Sequence, residues 1–239
     1  FNSSNWMGSA GISFYSAGIA QKVSESSAIA FSIQSMNFGD IPITTVENPE
    51  GNIGFFSPRT NIFNVGYARK FSSSISGGIN FKVISENISN LKASGVAIDA
   101  GIRYVTGEQE QIKFGITLKN VGPVMRYRGD GLAQQVEYVT TGFIASLEER
   151  SATFEMPSML CIGGSYDFIF NENNKLNLAF GFTANSFFND QYRLGLNYAM
   201  TSDKMAFNLR GGYVYEKNLL SVENRSNALV GPTAGFSID

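Results

Sequence analysis

The chain has 239 residues, of which 16% are charged and 13% aromatic, with 25 glycines, 6 prolines and a formal net charge of −2. Its charged fraction lies well below the roughly 25% of ordinary soluble domains, and the small acidic balance argues against a nucleic-acid surface. With no histidine and a single cysteine, Cys161, it lacks the commonest general base and metal ligand and excludes an intrachain disulfide or a cysteine-based zinc cluster.

No apolar run approaches the about 18 residues that a transmembrane helix requires. Period-two alternation recurs instead from end to end. About eleven strands are predicted, at 10–21, 27–38, 60–70, 74–86, 94–106, 110–120, 159–170, 175–186, 191–201, 204–216 and 227–238.

The faces of the first strand and of 60–70 are poorly defined by pattern alone. In "ISGGINFKVISE", Ile75, Gly77, Ile79, Phe81 and Val83 share one face, and Ser76, Gly78, Asn80, Lys82 and Glu86 the other. "SGVAIDAGIRYVTG" sets Val96, Ile98, Ala100, Ile102 and Tyr104 against Ala97, Asp99, Gly101, Arg103 and Val105. "QIKFGITLK" sets Ile112, Phe114, Ile116 and Leu118 against Lys113, Gly115, Thr117 and Lys119. Leu176, Leu178, Phe180 and Phe182 oppose Asn177, Ala179, Gly181 and Thr183. Tyr192, Leu194, Leu196, Tyr198 and Met200 oppose Arg193, Gly195, Asn197 and Ala199. Met205, Phe207, Leu209, Tyr213 and Tyr215 oppose Asn208, Arg210, Gly212 and Glu216.

Such alternation fits a soluble sheet with its apolar face on a core, or a membrane barrel with that face on lipid. Length favours lipid. The segments exceed the usual soluble strand of about five or six residues and match the roughly 9–11 tilted residues that cross a bilayer. Tyr and Phe gather near strand ends, as an interfacial girdle requires. Connection lengths point the same way. "QKVSESS", "KFSSS", "GEQE", "NENNK" and "SDK" are short, whereas 39–59, 87–93, 121–158 and 217–226 are longer and alternate with them; "FFND" at 187–190 is the exception. Short turns on one side and long loops on the other are the habit of outer-membrane barrels. The expected fold is therefore an all-β, transmembrane antiparallel barrel in one domain over 1–239. An odd strand count sits badly with closure, so the stretch is expected to belong to a longer protein.

Candidate chemistry is sparse. The lumen side is predicted to carry Lys82, Glu86, Asp99, Arg103, Lys113, Lys119, Arg193 and Arg210. These are read first as a solvated, salt-bridged interior that fixes register, and second as a substrate path. Cys161 has no histidine to activate it, and "GDG" at 129–131 and "SGG" at 76–78 are too short for phosphate loops. Asp40, Glu47, Glu50 and Asp130 are acidic loop residues of the solvated kind. No catalytic constellation, metal site or cofactor site is found. The 121–158 connection mixes charges with Val124, Met125, Ile144 and Phe154, as either a lid over the barrel mouth or a docking surface for a protein partner. As docking anchors, Arg126, Tyr127, Arg128, Tyr138 and Phe143 are the residues of choice, because aromatic and Arg side chains dominate binding hot spots.

Several stretches resemble the PorV/PorQ family of Bacteroidota outer-membrane proteins, themselves similar in fold to FadL channels. They are "MNFGDIPITTVENPEG" (36–51), "NVGYARKFSSSISGGINFKVISENI" (64–88), "ASGVAIDAGIRYVTG" (93–107), "FGITLKNVGPVMRY" (114–127), "FEMPSMLCIGGSYDF" (154–168), "FTANSFFNDQYRLGLNYAM" (182–200) and "LRGGYVYEK" (209–217). The resemblance implies a fourteen-stranded barrel, here without the family's N-terminal plug and closing strands. It also implies a non-enzymatic part in the type 9 secretion system, with translocon or attachment-complex proteins and secreted cargo as partners. The expected location is the bacterial outer membrane. The alternative is a FadL-like transporter of hydrophobic small molecules; the polar lumen side weighs against it.

Overall fold

In the computed structural model, residues 1–6, 11–138, 143–202, 205–217 and 230–238 are described; the side chains of 134–138 and of 143 are not. Twelve strands form one sheet: β1 (Asn2–Trp6), β2 (Ile12–Ser24), β3 (Ser27–Asn37), β6 (Arg59–Lys70), β7 (Ile75–Ile88), β8 (Leu91–Thr106), β9 (Ile112–Val121), β14 (Met159–Asn171), β15 (Asn174–Asn185), β16 (Gln191–Ser202), β17 (Met205–Glu216) and β18 (Gly231–Ile238). They are ordered as they occur in the chain, and every described pairing is antiparallel. Short pairs fill the two longest connections: β4 (Ile41–Pro42) with β5 (Phe55–Phe56), β10 (Met125–Arg126) with β13 (Thr153–Phe154), and the hairpin β11 (Ala133–Tyr138) with β12 (Phe143–Glu148).

All eleven predicted strands are present. The twelfth, β1, is five polar-rich residues, "NSSNW", too short to display a period. One predicted loop is not a loop. Residues 87–93 were expected as a long connection, but β7 and β8 run on to Ile88 and from Leu91, joined by a turn at Ser89, whose φ is 50°, and Asn90. Polar and small residues there break the apolar alternation without breaking the ladder, so pattern alone ended the strands early.

The apolar face is exposed on strand after strand. Ile98 and Ile102 are 42% and 56% exposed, Leu194 54% and Leu209 55%, while their neighbours on the other face are smaller or polar. Soluble proteins rarely expose contiguous apolar patches beyond a few hundred Å², and this one continues along strands of 10–16 residues. Such a surface is stable against lipid, where the strands' backbone groups are already paired in the ladder. An aromatic row edges it: the cross-strand partners Phe182, Tyr192 and Tyr215 have ring centroids 5.0 and 6.2 Å apart. Ring bodies with a polar tip suit the headgroup level. The sheet is thus a membrane-spanning one, with lipid as its apolar-side solvent.

The chain divides into two compact units. The first comprises Phe1–Tyr67, Asn80–Ile98 and Gly122–Met156. Its buried cluster lies on the polar face: Ile84, Ala93 and Ala97 of the sheet meet Met125 and Met156 of the long connection, with Ile62, Tyr127 and Phe154 packed against them. Small residues make room for this. A Cβ on Gly95 would lie 2.7 Å from Met125 Cγ, and one on Gly122 only 2.1 Å from the Val96 carbonyl oxygen. The second unit comprises Ala68–Ile79, Asp99–Val121 and Pro157–Asp239. Its polar face carries a bare cross-strand row, Gly115–Gly163–Gly181, that continues into Arg193.

Candidate functional site

In the first unit, the root of the 121–158 connection is strapped to the sheet. Met125 and Arg126 pair with Phe154 and Thr153, and the Lys92 and Arg128 backbones exchange hydrogen bonds of 2.8 and 3.0 Å. The half-buried Tyr127 stacks on Phe154 at 5.3 Å and donates its hydroxyl to Glu86 at 2.7 Å. Burial first, then the Glu86 carboxylate as acceptor and neighbouring charge, raise that hydroxyl from its ordinary 10.0 to about 12. It is therefore a proton donor at every physiological pH. The hairpin β11–β12 follows, with Ile144 and Leu147 exposed. Between hairpin and root lies a cavity of about 430 Å³ lined by Arg126, Arg128, Arg150, Glu148 and Glu149 among others. Through these contacts Tyr127 holds the base of the connection, expected as a lid or a docking surface, to the sheet. Tyr138 and Phe143 are the closing backbone pair of the hairpin; their side chains lie outside the described part.

In the second unit, polar-face charges gather at two places. At the short-turn end the buried Asp167 accepts from Lys113 Nζ at 2.6 Å, Lys175 Nζ at 2.7 Å and Asn177 Nδ2 at 2.5 Å. This cluster ties β9, β14 and β15 together, with both ammoniums engaged by the one carboxylate.

At the other end is a pocket of about 420 Å³, built from five strands and one loop. Its wall is a cross-strand row, Cys161, Thr183, Gln191 and Glu216, set by the ladder register. Glu216 is 1% exposed and accepts from Gln191 Nε2 at 2.9 Å. Gln191 Oε1 in turn accepts from Arg193 Nη2 at 2.5 Å, and Thr183 Oγ1 from Arg193 Nη1 at 2.9 Å. A covered carboxylate thus positions an amide, and the amide positions a guanidinium. Lys119, Met159 and Phe188 complete the rim.

The other predicted charges lie apart from this pocket. Asp99 accepts from the Asn120 backbone N–H at 2.8 Å, where Asn120 has a φ of 58°. Arg103 is exposed on the polar face of β8. Lys82 sits on the polar face of β7 and makes a contact of its own. Arg210 shares a glycine-floored groove of about 610 Å³ with Arg193, Asn177 and Asn197. Sequence reasoning did not single out Asp167, Thr183, Gln191, Lys175 or Glu216 as site residues. Their parity on the strands was the available signal; the register that brings them together was not.

No protein-family model and no curated protein matches the chain. Solved structures do. The fold is similar to that of the TodX deltaS2S3 mutant, a monoaromatic hydrocarbon channel, with a TM-score of 0.54 and 9% identity over 95% of this chain and 73% of that one. A FadL homologue from Pseudomonas aeruginosa gives 0.48, with 11% identity over 86% and 60%. The CymD monoaromatic hydrocarbon channel gives 0.47, with 10% identity over 95% and 71%. The chain has the membrane-barrel fold of TodX.

Proposed function

We propose that the protein is a bacterial outer-membrane channel for small hydrophobic or amphipathic molecules. The observation that carries this reading is the pairing of an apolar, lipid-adapted face with a pocketed polar face in the TodX-like fold. TodX is a monoaromatic hydrocarbon channel, and a fold alone does not fix substrate. The pocket adds a specific reason: Met159 and exposed Phe188 set apolar surface beside polar groups, as ligand sites do. Accelerated uptake of a neutral monoaromatic by cells carrying the protein is the test.

A second reading has its own support. The stretches that resemble the PorV/PorQ family argue for a component of the type 9 secretion system that binds translocon proteins or cargo through its long loops. The exposed Ile144 and Leu147, next to a cavity lined by Arg126, Arg128 and Arg150, are the surface such a partner would meet. Recovery of secretion proteins with the purified barrel, absent after loop removal, is its test.

A further inference from the structure

We propose that the pocket between Lys119 and Arg193 binds a small organic anion: one oxyanion group attached to an apolar group of about ring size. The inference rests on the channel reading only for how the ligand arrives.

Four observations carry it. First, Lys119 lines the pocket half-buried, and among the described residues its ammonium has no hydrogen bond or ion pair. Second, a guanidinium has five N–H donors, and Arg193 commits one to Thr183 and one to Gln191, with no carboxylate in ion-pair range among the described residues. The unspent donors and the free ammonium are the groups an oxyanion takes.

Third, the site is built in advance. Thr183, Gln191 and Glu216 are 4%, 8% and 1% exposed, and all three belong to the chain of bonds that fixes Arg193. The one acid in the lining, Glu216, is covered: its Oε2 accepts from Gln191 and its Oε1 from Asn189 at 3.4 Å. The charged groups with atoms left to meet a ligand are therefore both cations. Holding a guanidinium in place beforehand removes ordering cost from the binding step.

Fourth, the rim is not uniformly polar. Met159 is the cross-strand partner of Lys119, and Phe188, 63% exposed, lines the same pocket. A bare inorganic anion has no use for that surface. The volume, about 420 Å³, lies toward the small end of ligand pockets of about 300–1,000 Å³. It suits one ring with its anionic group rather than a long chain.

The single cysteine supplies a reporter, because Cys161 lines the same pocket. Purified full chain in nonionic detergent is titrated with benzoate, acetate and toluene. Binding is followed by equilibrium dialysis, and pocket occupancy by the rate of Cys161 alkylation with a neutral maleimide. Benzoate should bind saturably and slow alkylation by at least about fivefold, with acetate and toluene each at least about tenfold weaker. Lys119→Gln and Arg193→Gln should each weaken benzoate by about tenfold or more, Lys119→Arg should retain it, and Arg210→Gln should leave it unchanged. The absence of saturable benzoate binding, or equal affinity in Lys119→Gln and Arg193→Gln, overturns the site. Acetate binding as tightly as benzoate overturns its apolar half, and toluene binding as tightly overturns its anionic half. Intact benzoate binding without any uptake of a neutral monoaromatic counts against the channel reading alone.

Discussion

Tyr127 Oη lies 2.7 Å from Glu86 Oε2, so a residue of the longest connection is bonded to the polar face of a spanning strand. The bond lasts while the hydroxyl keeps its proton. Because the hydroxyl is raised to about 12 in the folded protein, its contribution is fully present below about pH 10, the unfolded value, and is lost as pH rises toward 12. Tyr127→Phe should remove one late-titrating tyrosine from an ultraviolet titration. It should also speed amide exchange at 125–128 by roughly five- to thirtyfold, the equivalent of about 1–2 kcal/mol for a bond to a charged acceptor. Unchanged exchange would mean that the apolar cluster alone holds the loop root.

Asp167 should be the most sensitive single charge of the second unit. Asp167→Ala leaves Lys113 and Lys175 facing each other without their acceptor. Both lysines are partly exposed, at 30% and 43%, so water moderates the repulsion, and a loss of about 1–3 kcal/mol is expected. Urea unfolding in bilayers should show it, with Asp167→Asn intermediate because the amide oxygen still accepts from the lysines.

Ile98 and Asp99 are adjacent in the chain and on opposite faces near the middle of β8. Ile98→Arg should cut assembly into the membrane sharply, at a cost of about 2–4 kcal/mol near the midplane. Asp99→Asn should be much milder, since an amide oxygen can still accept from the Asn120 N–H. Heat-modifiable gel mobility reads both. Equal defects in the two variants would show that the face assignment is wrong.

The faces of the strands were legible because a barrel strand in lipid writes its environment directly as a period of two. Leu194 against Arg193, or Ile116 against Lys113, needs no partner to be read. What escaped was whatever depends on register or on chain crossing back. Ile84, Met125 and Met156 are apolar residues buried on the polar face, and alternation alone has no way to announce an inner apolar seat. The Glu216–Gln191–Arg193 relay spans a loop whose length sets the pairing, so its members look unrelated in sequence. The turn at Ser89–Asn90 was missed because both residues are equally at home in a loop.

Removing 129–150 separates the two functional readings. The excision takes away the hairpin and leaves Tyr127 with its bond to Glu86. Loop-length changes cost little entropy, so the sheet should still assemble, as gel mobility will show. If the protein is a channel, uptake should persist or rise. A secretion component should lose its partners from pull-downs.

The most direct test is the rate at which a labelled neutral monoaromatic such as toluene enters outer-membrane-bearing cells that lack channels of their own. Cells expressing the assembled protein should take it up several-fold faster than cells carrying an assembly-defective Ile98→Arg control, with entry of a polar sugar of similar mass unchanged. Identical toluene rates in the two strains, despite equal membrane integrity and confirmed assembly of the wild-type barrel, would contradict the channel assignment.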